Sequence, residues 1–67
     1  MKITRKLNGQ DYPLPKSEEI AFAAMFAPIA SDAALNGGME CATIVYRTRS
    51  KDSSLMDVTE VTAHFAP

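Results

Sequence analysis

The segment that decides the fold of this chain is KITRKLNGQDYPL, which spans residues 2–14. Asn8-Gly9 lies at its centre, between two stretches of strand-like composition. Asn and Gly accept the positive φ angles of a two-residue type I′ turn, so the segment predicts a β-hairpin. The turn also sets the register, in which Leu7 faces Gln10 and Lys6 faces Asp11.

Two prolines predict where the second strand of this hairpin lies in a sheet. In the register above, Pro13 and Pro15 lack N–H groups that would have pointed away from the first strand. A further strand cannot pair fully along that side. Residues 10–14 are therefore predicted to form an edge strand that the prolines protect from further pairing.

An apolar run at residues 20–30 predicts a helix. Ser17 is a good N-cap, and Glu18 and Glu19 follow in the first turn, where the helix dipole favours acids. At 100° per residue the run has two apolar faces. The face expected to meet the sheet carries Phe22, Met25, Phe26 and Ile29, and the opposite face carries Ile20, Ala23, Ala24 and Ala27.

Pro28 interrupts this run and biases Ala27 away from helical geometry. The sequence leaves two alternatives, a kinked helix or a stop followed by a second short turn at residues 31–35. Asn36-Gly37-Gly38 predicts the end of the helical region in either case.

The last part of the chain predicts a second hairpin. Residues 40–49 and 55–65 are rich in Thr, Val, Ile and aromatic side chains, which favour strands. With residues 51–54 as the loop, Ile44 faces Val61 and Ala42 faces Ala63, so apolar side chains meet apolar side chains.

These elements predict a single α+β domain over residues 1–67, in the order β-β-α-β-β. The simplest packing is one helix, with or without a kink at Pro28, on a four-stranded, mainly antiparallel sheet. The expected core is Phe22, Met25, Phe26 and Ile29 against Ile3, Leu7, Leu14, Ile44, Val61 and Phe65.

Composition narrows the function classes. The 67 residues are 46% hydrophobic and 22% charged, with net charge −1, which is typical of one folded domain. One Cys and one His cannot form a closed zinc site, so we expect no metal and no cofactor. The start Met1-Lys2, with no signal-peptide core after it, predicts a complete small reading frame and a cytoplasmic protein.

The size of the chain predicts a marginal core. Surface scaling gives about 4,200 Å² exposed in the folded chain, with only about 60% of the extended surface buried. Small domains often gain stability by self-association or by binding a partner.

Two groups of residues could carry chemistry. Cys41 faces His64 in the second hairpin, but a nucleophile and its base need an orienting group, and we expect no enzyme activity. A nucleic-acid-binding surface made of Tyr46, Arg47 and Arg49 is an alternative, since Arg and aromatic side chains stack on bases. The slightly acidic composition argues against it.

The second helix face favours a protein partner. A helix on one sheet needs one apolar stripe, yet this helix has a second one, formed by Ile20, Ala23, Ala24 and Ala27. Either Ile20 packs under residues 13–15 and the alanines serve helix propensity alone, or this face binds a larger protein or a second copy. We expect the latter, in a non-catalytic interaction module with no membrane contact and no small-molecule substrate.

The opening MKITRKLNGQDYPL resembles those of small proteins from bacterial mobile elements and phages, which often begin with a hairpin before a helix. The resemblance implies an inhibitor of a host system, as anti-CRISPR proteins are. It assigns no site residues to this chain.

Overall fold

A computed structural model of the chain describes residues 1–49 and 55–65. The elements are β1 (Lys2–Leu7), β2 (Gln10–Asp11), α1 (Lys16–Asn36), β3 (Cys41–Arg49) and β4 (Met56–His64). The strands form one antiparallel sheet in the order β2-β1-β4-β3, and α1 packs on one face of it. The predicted α+β arrangement is confirmed, and so is the edge position of β2. The predicted loop at residues 51–54 lies outside the described residues.

The first hairpin has the predicted register, with Lys6 opposite Asp11 and Leu7 opposite Gln10. Its turn has φ 51° at Asn8 and φ 83° at Gly9, as a type I′ turn requires. Strand β2 is shorter than predicted, since it ends at Asp11 and not at residue 14. One more ladder hydrogen bond follows, from the Tyr12 N–H to the Arg5 carbonyl at 2.9 Å, and the chain then turns towards the helix.

Asn8 also ties the turn to the central strand β4. Its backbone N–H donates to the Val58 carbonyl at 2.8 Å, and the Val58 N–H donates to Asn8 Oδ1 at 2.9 Å. Asn8 Nδ2 donates to Asp57 Oδ1 at 3.0 Å. One residue therefore shapes the turn and fixes it against a strand some fifty residues later in the chain.

The core is small. Phe26, Val61 and Ala63 are fully buried, and the partly buried side chains around them are Ile3, Phe22, Ile29, Ala42, Ile44 and Phe65. The predicted pairs Ile44–Val61 and Ala42–Ala63 are confirmed and supply the sheet side of this core. Leu7 and Leu14 are half-buried and lie outside the cluster.

The prediction that Met25 joins the core is wrong, because 56% of its surface is exposed. The buried face of α1 centres on Phe22 and Phe26. At 100° per residue, Met25 lies at the edge of that face.

The helix begins at Lys16 and its N-cap is Pro15, so the predicted N-cap at Ser17 is wrong. The Pro15 carbonyl accepts the Glu19 N–H at 2.9 Å, and the fixed φ of proline suits a helix start. Glu18 and Glu19 lie in the first turn, as predicted.

Pro28 neither stops nor divides the helix, which runs through it to Asn36 as one element. The missing N–H would have bonded the Ala24 carbonyl, and both residues lie on the exposed side, where water can solvate that oxygen. Gly37, at φ 70°, ends the helix and donates its N–H to the Ala33 carbonyl at 2.8 Å.

The folded chain is elongated, with extents of 44 × 22 × 18 Å and a radius of gyration of 13.5 Å. A compact chain of this length has a radius of gyration of about 11 Å. The accessible surface is 5045 Å², against about 4,200 Å² expected from size. The fold thus leaves about 800 Å² more surface in water than a compact domain would.

Substitution of Asn8 tests the role of the turn. We expect Asn8→Ala to lower the free energy of unfolding by about 2–3 kcal/mol, through the positive φ and the lost side-chain hydrogen bonds. Asn8→Gly keeps the turn conformation and loses only the side-chain bonds, so it should cost about half as much. Urea unfolding followed by circular dichroism measures both, and equal costs would contradict the account.

Substitution of Pro28 tests the cost of a proline inside the helix. We expect Pro28→Ala to raise the free energy of unfolding by about 1–3 kcal/mol, because it restores a helix hydrogen bond and removes a clash with the preceding turn. The matched change Pro15→Ala, just before the helix, should alter stability by less than about 0.5 kcal/mol. Thermal unfolding distinguishes them, and no gain for Pro28→Ala would contradict the prediction.

Candidate functional site

The side of α1 that points away from the sheet carries a line of apolar side chains. Ile20 is 62% exposed and Leu35 is 86% exposed, and Ala24 and Ala27 between them are also exposed. We call these four residues the outward helix face. Ala23 is half-buried and lies at its border with the core.

The alternative in which Ile20 packs under residues 13–15 does not hold, since most of its surface faces solvent. The four residues predicted to bind a partner, Ile20, Ala23, Ala24 and Ala27, thus lie together on one stretch of helix, and three of them are exposed. Leu35 was missed in the sequence because Pro28 left open whether one helix continues to residue 35. In a continuous helix, Leu35 lies on the same face as Ile20, Ala24 and Ala27, because the successive spacings of four, three and eight residues are helical. This spacing would have identified Leu35 from the sequence.

Arg5 sets the position of this helix on the sheet. Its side chain is only 8% exposed and forms an ion pair with Glu18 in the first turn of α1, with Nη1 and Oε2 2.8 Å apart. Nε donates to the Tyr12 carbonyl at 3.2 Å and Nη2 donates to the Pro13 carbonyl at 2.9 Å. The guanidinium also lies 4.0 Å from the centroid of the Tyr12 ring. Strand β1, the segment after β2 and the start of α1 therefore meet at one side chain.

A recess of about 230 Å³ opens beside this arginine. Its lining residues are Ile3, Thr4, Arg5, Asp11, Tyr12, Pro13 and Leu14. The charge of Arg5 is already matched by Glu18, and two carbonyl oxygens accept from its other nitrogens. The recess is therefore part of the structural contact around Arg5. The Arg5 guanidinium, the one cation among its lining residues, is already paired and is not available to an anionic ligand.

Cys41 and His64 face each other in the register of β3 and β4, as predicted. Cys41 is a free, exposed thiol on the sheet face away from the helix. Among residues 1–49 and 55–65, no cluster of three or more His, Cys, Asp or Glu side chains could hold a metal ion.

The residues of the nucleic-acid alternative fall on two faces of β3. Ala42 and Ile44 contact the core, so strand alternation places Tyr46 on the helix side and Arg47 and Arg49 on the opposite side. The structure therefore does not gather the three into one stacking surface. Binding of nucleic acid by these residues stays a prediction.

Comparison with known protein families, with curated proteins and with solved structures gives no match to this chain. No helix in the described part of the chain has the length and apolar character needed to cross a membrane.

Arg5 and Glu18 provide a test of how the helix is held. We expect Arg5→Lys to lower the free energy of unfolding by about 1–2 kcal/mol, because an ammonium group cannot reproduce the planar fork that reaches three oxygens. Glu18→Gln removes only the half-exposed partner and should cost less than about 1 kcal/mol. Chemical denaturation measures both, and a larger loss for Glu18→Gln would contradict this assignment.

Proposed function

We propose that this protein is a non-catalytic interaction module that binds a larger protein through the outward helix face. The observation that carries the proposal is that residues 20–30 of the helix have no polar side chain on any side, while one side of this stretch faces solvent. Helices of that composition are normally buried on all sides. We therefore assign the binding surface to the outward helix face, where a partner would remove apolar side chains from water.

The small size of the core supports this proposal. Three side chains are fully buried among the described residues. The protein exposes about 800 Å² beyond a compact chain of its mass, close to one side of a standard protein interface. Association would complete a fold that is marginal by itself.

The shape of the face indicates the kind of partner. Ala24 and Ala27 allow a close approach, Ser31 lies between them and Leu35, and Ile20 and Leu35 supply larger side chains at the two ends. Fifteen residues of helix place these two about 22 Å apart. A partner with an apolar groove or a helix of about that length would cover the face, in the manner of helix-in-groove recognition.

The proposal extends to the form of action. A chain of this size acts on a larger protein by occupying a surface on it, and we propose an inhibitor of a host system in the cytoplasm, as anti-CRISPR proteins are. The support for this extension is the resemblance of residues 1–14 to the openings of phage and mobile-element proteins.

Ala24→Glu tests the proposal, because it puts a charge in the middle of the outward helix face without removing any core side chain. We expect the tagged wild-type protein to capture one dominant partner from its source organism and the variant to lose it at least tenfold. Thr4→Glu, on the opposite face of the molecule, adds the same charge and should retain the partner. Equal capture by both variants would contradict the assignment, as would a protein that captures nothing.

A further inference from the structure

The two edges of the sheet are built differently. Strand β2 at one edge has two residues and is followed by Pro13 and Pro15. Strand β3 at the other edge has nine residues and no proline, and its charges are confined to Arg47 and Arg49 near one end. In the described part of the chain, no strand pairs with β3 on the side away from β4. A long edge without such protection is a site for pairing with another strand.

The hydrogen-bond pattern shows which groups this edge offers. The Phe65 N–H donates to the Glu40 carbonyl at 2.7 Å, so these two form a hydrogen-bonded pair one residue beyond Cys41–His64, in the same register as β3 and β4. Bonded pairs alternate in an antiparallel ladder, so the even-numbered residues of β3 bond to β4. The odd-numbered residues, Cys41, Thr43, Val45, Arg47 and Arg49, direct both N–H and C=O away from the sheet.

We propose that β3 pairs antiparallel with β3 of a second copy of this chain, around a two-fold axis at Val45. Val45 is the middle residue of Cys41–Arg49, so this axis alone pairs all nine residues. Val45 then faces Val45 of the second copy, Thr43 faces Arg47, and Cys41 faces Arg49. All five outward-directed residues become hydrogen-bonded pairs, with about ten new backbone hydrogen bonds.

The side chains of β3 suit this register. Val45 is 50% exposed and would meet its own copy on the sheet face away from the helix. On the helix side, Ile44 would face Tyr46 of the second copy, and Tyr46 is 37% exposed in the single chain. Aromatic and β-branched side chains are favourable cross-strand partners. The arginines of the two copies lie towards opposite ends of the seam, so like charges are kept apart.

The symmetry of the register argues for a second copy as the occupant. A second β3 brings the same nine residues, and an axis at Val45 pairs all of them. The proposal shares with the proposed function the idea that this chain works through protein contacts. The surface is different, however, since it relies on the main chain of β3 and leaves the outward helix face open.

Hydrogen exchange of the wild-type protein tests the pairing directly. In the proposed dimer the amides of Cys41, Thr43, Val45, Arg47 and Arg49 are protected, and their protection falls on dilution. The amides of Ala42, Ile44 and Tyr46 are protected at every concentration because they bond to β4. Fast exchange of the odd-numbered amides at all concentrations up to about 1 mM would overturn the proposal.

The thiol of Cys41 gives a second test on the intact fold. With a nitroxide label on Cys41, the proposed axis puts the two labelled Cα atoms about 27 Å apart, which is eight residues at about 3.4 Å each. Pulsed electron–electron double resonance should give one distance between the two labels near that value. A distance that places the axis outside β3, or the absence of any dipolar signal, would overturn it.

Variants separate this surface from the outward helix face. Val45→Lys adds a charge at the proposed axis and, in the single chain, faces Glu60 across the ladder, so the monomer should stay folded. We expect it to shift sedimentation from dimer to monomer, whereas Thr4→Lys and Ala24→Glu leave the dimer intact. A dimer that resists Val45→Lys but dissociates with Ala24→Glu would overturn the β3 proposal and support the helix face. Loss of partner capture by Ala24→Glu with a monomeric wild type would overturn the β3 proposal alone.

Discussion

The guanidinium of Arg5 is the contact on which the arrangement of this small protein depends. The segment between β2 and α1 has no helix or strand, and three side chains are fully buried in the described part of the core. Arg5 binds two carbonyl oxygens of that segment and the Glu18 carboxylate, and so fixes the beginning of the helix against β1. Charge-assisted bonds in a nearly dry position are stronger than their exposed counterparts. In this small protein, the bonds of Arg5 replace apolar contacts that a longer chain would provide.

The two sides of the helix have different roles. Phe22 and Phe26 serve the core, while the far side keeps Ile20 and Leu35 in water. The exposed β3 edge offers main-chain groups, and the outward helix face offers apolar side chains. The two surfaces therefore do not compete. A chain paired with its copy along β3 would present two outward helix faces, so a partner with two sites would bind with increased effective concentration.

Much of the fold could be read from the sequence because short-range signals agree with apolar pairing. Asn8-Gly9 fixes one register, and the pairs Ile44–Val61 and Ala42–Ala63 fix the other. The start of the helix and the position of Met25 were predicted wrongly for local reasons. A backbone carbonyl, that of Pro15, accepts the first helix bond, and no side-chain pattern shows this. Whether Pro28 ends a helix depends on whether the orphaned carbonyl reaches water, which only packing decides.

The contacts that concern function were harder to predict. Strand alternation puts Arg5 on the same face of β1 as Ile3 and Leu7, but its ion pair with Glu18 depends on the position of a helix that starts many residues later. The outward helix face followed from 100° spacing at Ile20 and Ala24. The open edge did not, because the sequence alone leaves the order of the last two strands in the sheet undetermined.

The unequal edges of the sheet have a consequence for how far assembly can go. Strands add to a sheet only where N–H and C=O groups are free, and Pro13 and Pro15 disable one end of this sheet. In the proposed dimer, pairing β3 with β3 would use the edge of the described sheet that is open to a further strand, so assembly would stop at two chains. If Pro13 and Pro15 were replaced by residues with a backbone N–H, each proposed dimer would have two further open edges and could polymerise into a filament. In the proposed dimer, these two prolines would therefore keep the sheet from extending beyond two copies.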